Sequence, residues 1–217
     1  QIAKQLKAHT HETYHTDIEL APGHCLKGYA VYKDVFRPEV TSAQYFARWL
    51  FFNNGVYRDK DVMDIGCGTG IQGIVAAHYC ARRVTLSDLS PVAVANAQEN
   101  VTHYHLEDRV RVVQGDLFEN VVGRADVVIF NHPFFPADPL EDVPVSRSML
   151  GGSELIHRFL DEVPRYTQPR AILIMPFFPF AGEANNPALQ GPKHGYHVTE
   201  RFRMNISEGL QQGSFSV

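Results

Sequence analysis

Glycines at positions 66, 68, 70 and 73, directly behind Asp64, are the densest concentration of chemistry-bearing pattern in this chain. The stretch runs from Asp61 to Gly73 as a short apolar segment (Val62, Met63, Ile65), a glycine loop and the start of a helical pattern through Ile71, Ile74, Val75 and Ala76. Strand, tight turn and helix in that order form the first βα unit of an open α/β sheet. Glycine lets the backbone come close to a ligand and take positive φ, and the helix that follows presents free N–H groups at its N-terminus. Gly68-x-Gly70-x-x-Gly73 fits the dinucleotide fingerprint, in which a pyrophosphate sits on that N-terminus. The carboxylate of Asp64 opposes a pyrophosphate and suits a cationic ligand, on charge grounds alone. Further carboxylates stand where later strands should exit. Asp88, in Ser87-Asp88-Leu89-Ser90-Pro91, can accept from two ribose hydroxyls under either reading. Asp116, in Gly115-Asp116-Leu117-Phe118, is placed to accept from an adenine amino group, with Leu89 and Leu117 as apolar walls; a plain turn accounts for that tetrapeptide equally well.

The longer pattern Asp64-x-Gly66-x-Gly68-x-Gly70, with Cys67 inside it, resembles motif I of the class I S-adenosylmethionine (SAM) methyltransferases. The resemblance implies SAM as cofactor, with S-adenosylhomocysteine as product, and Asp64, Gly66, Cys67, Gly68, Gly70, Asp88, Leu89, Asp116, Leu117 and Asn131 as its binding residues. The exit of the fourth strand, Asn131-His132-Pro133-Phe134, separates this reading from an NAD-dependent oxidoreductase, because nicotinamide chemistry asks for none of those residues there. It resembles the Asn-Pro-Pro-Tyr/Phe motif of methyltransferases that modify planar nitrogens. By that resemblance the Asn131 side-chain carbonyl and a neighbouring backbone carbonyl accept the two hydrogens of an –NH2 group and draw its lone pair toward the methyl. Phe134 stacks on the amide or base plane, and the prolines hold the backbone stiff so that two acceptors converge. His132 departs from the motif; it still offers the backbone carbonyl, and its near-neutral pKa admits a proton-transfer role.

The whole order, with Leu150-Gly151-Gly152-Ser153-Glu154-Leu155 downstream, is similar to the release-factor glutamine methyltransferase (HemK-like) family over roughly residues 60–177. The family implies Asn131, His132, Pro133 and Phe134 at the catalytic centre and a release-factor-like protein substrate. The same motif also occurs in enzymes that methylate exocyclic amino groups of adenine or guanine in RNA and DNA, so RNA is the alternative partner, and a non-catalytic SAM-fold subunit is a third possibility. The segment before residue 59 is shorter than that family's helical substrate domain, and Arg37-Pro38-Glu39-Val40-Thr41 only loosely echoes its Pro-Arg-x-x-Thr stretch. Phe36 and Thr41 stand where they would close over the methionine end of SAM. The transfer chemistry calls for no metal.

These residues need elements to hold them. Apolar runs at 61–65, 83–87, 110–114, 125–130 and 171–175 alternate with helical patterns at 70–80, 91–102 and 152–166. Strands apolar on both faces alternating with helices predict a parallel sheet covered on both sides. Residues 196–205 and 214–217 look like a terminal antiparallel hairpin. The expected fold is therefore α/β, Rossmann-like, of the class I methyltransferase type: a mostly parallel seven-stranded sheet with that hairpin. Residues 1–58 form an N-terminal cap and 59–217 the SAM domain. Within the cap, residues 28–36 read as a hairpin, and a helix capped by Thr41 or Ser42 carries Tyr45, Phe46 and Trp49 and closes at Asn53-Asn54-Gly55. His9, His11 and His15 read as solvated side chains rather than a metal site. Phe177, Phe178 and Phe180, in a Pro/Gly/Asn-rich stretch after the fifth strand, either touch substrate or pack, with packing expected for at least one.

At 217 residues and 44% apolar content the chain suffices for one α/β domain with a small extension. No apolar run approaches the length of a membrane span. The first residues carry neither an initiating Met nor the apolar core of a signal peptide, and they read as part of a longer chain. An odd number of cysteines, Cys25, Cys67 and Cys80, without Cys-x-x-Cys spacing predicts a reduced, cytoplasmic setting. A net charge of −4 argues against non-specific coating of nucleic acid.

Overall fold

The computed structural model describes residues 11–39, 42–206 and 213–216. Its centre is a sheet of five parallel strands: β3 (Asp61–Ile65), β4 (Arg83–Asp88), β5 (Val110–Gln114), β6 (Ala125–Phe130) and β7 (Thr167–Ile174), in the spatial order β5-β4-β3-β6-β7. The chain winds outward from β3 to β5 and then returns to β6 on the other side of β3. The carboxyl ends of β3 and β6 thus flank the switch point where open α/β sheets bind ligands. Ile65 and Phe130 are register partners there. The glycine loop and the Asn131 loop therefore leave the sheet side by side.

Alternate residues of each strand feed opposite faces, which explains the unbroken apolar runs. Val62, Val84, Leu86, Val127 and Ile129 pack with α1 (Ser42–Phe52) and α2 (Ile71–His78). Met63, Ile65, Val128 and Phe130 pack with Ile156, Phe159 and Leu160 of α4 (Glu154–Glu162). Between β4 and β5, α3 (Pro91–His103) begins at Ser90, whose hydroxyl accepts from the Ala93 N–H at 3.3 Å, with Pro91 in the first turn.

The N-terminal hairpin lies upstream of the expected one. Its strands are β1 (Tyr14–Ala21) and β2 (His24–Val31), turning at Pro22-Gly23. Ile18 and Leu20 are buried while Asp17 and Glu19, which alternate with them, are exposed, the period-2 signal of a half-buried strand, and residues 32–36 lie beyond it. His15 pairs with Glu99 at 3.4 Å and His11 Nε2 meets the Val35 carbonyl oxygen at 3.0 Å; His9 and Thr41 lie outside the described residues. The aromatic stripe of α1 faces the core, with Phe46 and Trp49 buried.

The seven strands expected of the main sheet divide into five and two. β8 (Arg203–Ile206) and β9 (Gly213–Ser216) pair antiparallel with each other in a separate sheet. β7 also starts four residues earlier than expected, a register shift opposite Ala125–Val127 and a positive φ at Arg170 accommodating the extra length. A four-residue helix, α5 (Pro187–Gln190), lies in the stretch after β7. Among the described residues no helix is long and apolar enough to cross a membrane, and no group of three or more His, Cys, Asp or Glu side chains is arranged to hold a metal ion.

Candidate active site

A cavity of about 620 Å³ opens beyond the carboxyl ends of β3, β4, β5 and β6, a size typical of small-ligand sites. Its floor is the glycine loop. Gly66, Gly68 and Gly70 all have positive φ, and the Phe130 ring lies 3.5 Å from where a Cβ on Gly66 would stand. The Gly68 N–H donates to Asp88 Oδ2 at 2.8 Å, and the Cys67 N–H to the Ser87 carbonyl at 3.0 Å, so the loop is fastened to the end of β4.

Asp88 lines the cavity half-buried. Its Oδ1 accepts from the Ser90 N–H at 2.9 Å, and burial raises its pKa against the pull of these backbone donors. With backbone donors at Gly68, Leu89 and Ser90, the carboxylate still has acceptor capacity toward the cavity for a ligand hydroxyl. Asp116 and Leu117 follow β5 on the same wall. Leu117 takes φ +51°, and its carbonyl accepts from the Ser87 hydroxyl at 2.9 Å. Leu89 projects 52% exposed at the rim. Cys67 lies on the wall too, its thiol pKa pushed well up by burial.

Asp64 and Gly70 are the two proposed ligand residues that do not line the cavity. The Asp64 carboxyl is buried behind the loop, where Oδ2 accepts from the Gly73 N–H at 2.8 Å and Oδ1 has no partner. Burial raises its pKa to about 7. A carboxylate ending the first strand of a glycine loop is thus, in this chain, a fastener of the turn into α2. Gly70, at φ +84°, begins that helix.

At the exit of β6, Asn131 stands on the wall with Oδ1 buried and without a hydrogen-bond partner. An unpaired buried acceptor is costly unless a donor arrives. His132 turns inward, 2% exposed: Nε2–H donates to the Asn185 carbonyl at 2.8 Å and the ring stacks on Phe177. Burial lowers its pKa to about 4, so it is neutral near pH 7. Phe134 is buried edge-on against His132, Phe177 and Phe178. Phe177 packs, whereas Phe178 also reaches the cavity wall. Gly151 lies against Pro133, its Cβ position 3.0 Å from the proline Cβ, and its N–H donates to the Phe135 carbonyl at 3.2 Å. The Leu150-Gly151-Gly152 segment therefore braces the Asn131 loop from behind.

Sequence reasoning did not single out several residues that build this site. Asn185 donates from Nδ2 to the Gly152 carbonyl at 2.9 Å while its backbone holds His132. Asn96 and Asn100 are fully buried on α3 and bind the Ala30 backbone. Their signal was present, since both fall on the apolar stripe Ala93, Ala97, Val101. Arg158 on α4 holds the Asp116 carboxylate at 2.8 Å.

Residues 47–154 match the family described as methyltransferase small domain. A Methanocaldococcus jannaschii protein provisionally named a protein N5-glutamine methyltransferase is 32% identical over 54% of this chain and 60% of its own length. The release factor glutamine methyltransferase of Borreliella burgdorferi is 25% identical over 56% of this chain and 46% of its own length. This chain thus spans about half the length of the curated relatives it matches. Among solved structures, a 16S rRNA methyltransferase of T. thermophilus, in complex with AdoMet and guanosine, covers 95% of this chain and 50% of its own at 15% identity and TM-score 0.61. That likeness establishes the class I methyltransferase fold.

Proposed function

We propose that this chain, whose residues 47–154 form a methyltransferase small domain, is a SAM-dependent N-methyltransferase acting on a planar amide or amino nitrogen, with a protein glutamine side chain as the acceptor. The observation that carries this is the buried, unpartnered Oδ1 of Asn131 on the cavity wall, beside the glycine loop. An acceptor in that state fits an –NH2 donor and costs stability without one.

The same wall fits the cofactor. Asp88 accepts from the ribose hydroxyls, Asp116 faces an exocyclic amino group, and Leu89 and Leu117 flank a planar ring, all four residues lining the cavity. Gly66, Cys67 and Gly68 bring bare backbone to the ligand, and the carboxylates favour a cationic one. When bound, SAM would supply an activated methyl: its S–C bond would break as the N–C bond forms, with sulfur leaving as a neutral thioether and the nitrogen's displaced proton passing to solvent. The chain's own contribution is positioning: Asn131 Oδ1 and the His132 carbonyl accept the two N–H groups, and Pro133 stiffens the backbone between them. Phe134 supplies an aromatic surface at the acceptor plane. His132 serves through its carbonyl, since its Nε2 is occupied and its ring stays neutral. In this reading residues 1–58 form a substrate-side cap, supported by Val35, Phe36 and Pro38 on the cavity wall, and 59–217 the SAM domain.

Support for a protein acceptor comes from the names of the M. jannaschii and B. burgdorferi relatives and from the net charge of −4, which disfavours a polyanion. The test is methyl transfer from labelled SAM into a lysate pretreated with ribonuclease, or with protease that is then inhibited. Label lost only after protease treatment is expected; label lost only after ribonuclease would move the acceptor to RNA. Asn131→Ala should abolish transfer while SAM binding persists. A protein that does not bind SAM would refute the proposal.

A further inference from the structure

We infer that Arg158 is a positioning residue: it fixes the direction of the Asp116 carboxylate and thereby makes the nucleoside end of the cavity selective for a purine bearing a 6-amino group. The inference rests on the cofactor reading above. Asp116 follows β5, and Arg158 resides on α4, whose Phe159 stacks on Phe118 at 5.6 Å just beyond Asp116. From that packed helix Arg158 Nη2 donates to Asp116 Oδ2 at 2.8 Å. The guanidinium is buttressed in turn by Glu162, one helical turn on, at 3.9 Å. The backbone of Asp116 is fastened separately, its N–H donating to Glu119 Oε2 at 3.2 Å.

The side chain of Asp116 is 43% exposed. Left alone, such a carboxylate turns about its last torsion and offers either oxygen to water. With Oδ2 bonded to Arg158 the carboxylate is held in one orientation, and Oδ1 is the oxygen that keeps both lone pairs for a ligand on the cavity wall. A carboxylate oxygen only accepts, so it rewards an amino group and opposes a carbonyl oxygen at the same place. An exposed ion pair that merely tied α4 to the β5 loop would have no effect on that discrimination.

The probes are S-adenosylhomocysteine and its 6-keto counterpart S-inosylhomocysteine, titrated calorimetrically into the whole chain. Wild type should prefer the adenosine form by roughly tenfold or more, the worth of one hydrogen-bond acceptor facing a repelling oxygen. Asp116→Asn should erase the preference, because an amide can turn its NH2 toward the keto group. Arg158→Ala should shrink it severalfold with the thermal midpoint nearly unchanged, and Arg158→Lys should restore part of it. A preference unchanged in Arg158→Ala overturns the inference. Equal binding of both probes by wild type also overturns it while leaving the cofactor reading intact. Failure of wild type to bind S-adenosylhomocysteine removes the cofactor reading itself.

Discussion

Two buried ionisable side chains on either side of the switch point set opposing demands on pH. Asp64, with its pKa raised to about 7, binds a proton in the folded state at pH values where the unfolded chain has lost it. Its contribution to stability is therefore complete below the ordinary carboxylate range and is lost as pH rises from about 4 to 7. His132, lowered to about 4, does the reverse: the unfolded chain protonates first, and stability is lost as pH falls from about 6.5 to 4. At 1.36 kcal/mol per unit, each amounts to roughly 3–4 kcal/mol, so in the intact protein they largely cancel. Single substitutions should expose them. Asp64→Asn keeps an acceptor for the Gly73 N–H, and the protein should then weaken by roughly 3 kcal/mol between pH 6.5 and 4. His132→Gln keeps a donor for the Asn185 carbonyl, and that variant should strengthen over the same acidification. Urea unfolding at stepped pH reads both slopes. A flat profile in Asp64→Asn would show that the imidazole is not buried neutral, and would reopen its proton-transfer role.

The glycine loop works as an element because its last glycine is a packing device. A Cβ on Gly73 would stand 2.1 Å from Leu86 Cδ2 and 3.1 Å from Val84 Cγ1, so α2 lies directly on β4 only while that position is bare. Gly73→Ala should cost about 1–3 kcal/mol by overpacking, whereas Gly55, with open space around it and no positive φ, should accept alanine without loss. Thermal melts of the two variants make the comparison; equal midpoints would mean the helix can lift away freely. The glycine loop, and the strands β3, β5 and β6, were legible in the sequence because apolar runs and a glycine spacing are local signals, whereas the packing role of Gly73 shows only in the structure. The loops at the strand exits followed from topology alone, which is why Asp88, Asp116 and Asn131 could be assigned to one wall. The strand at 14–21 escaped because its alternation is half polar, with only Ile18 and Leu20 fully buried. The partition of the sheet into five strands and a separate hairpin escaped too, since strand pattern does not say which edge a hairpin joins. Arg158 and Asn185 act on residues 42 and 53 positions away, contacts that no periodicity encodes. Asp64 was read as a ligand because charge and position suggested it; the direction its side chain takes was decided by the packing of α2.

For the molecule as a whole, the division proposed at residue 58 is not a division of the hydrogen bonding. The Ala30 N–H donates to Asn100 Oδ1 at 2.8 Å, and Asn96 and Asn100 both donate back to the Ala30 carbonyl at 2.9 Å. Asn100 also donates to the Thr69 carbonyl at 3.1 Å, where the Tyr29 hydroxyl arrives at 2.8 Å. The N-terminal hairpin, α3 and the glycine loop thus share one buried polar network, and a fully satisfied network of this kind ties its members into one arrangement. Asn100→Ala strips the donor or acceptor from three of those bonds and leaves the Ala30 N–H buried and unpaired, a loss of about 3 kcal/mol. If the hairpin were only a lid on a separately folded domain, the variant would open the cap in a first, low-temperature step and leave S-adenosylhomocysteine affinity intact. A network shared with the loop predicts a single unfolding transition displaced downward, with a parallel fall in affinity, because Thr69 sits between Gly68 and Gly70 on the cavity floor. Calorimetric melting and titration of the same sample distinguish the two, and the hydrogen bonds at Thr69 favour the single transition.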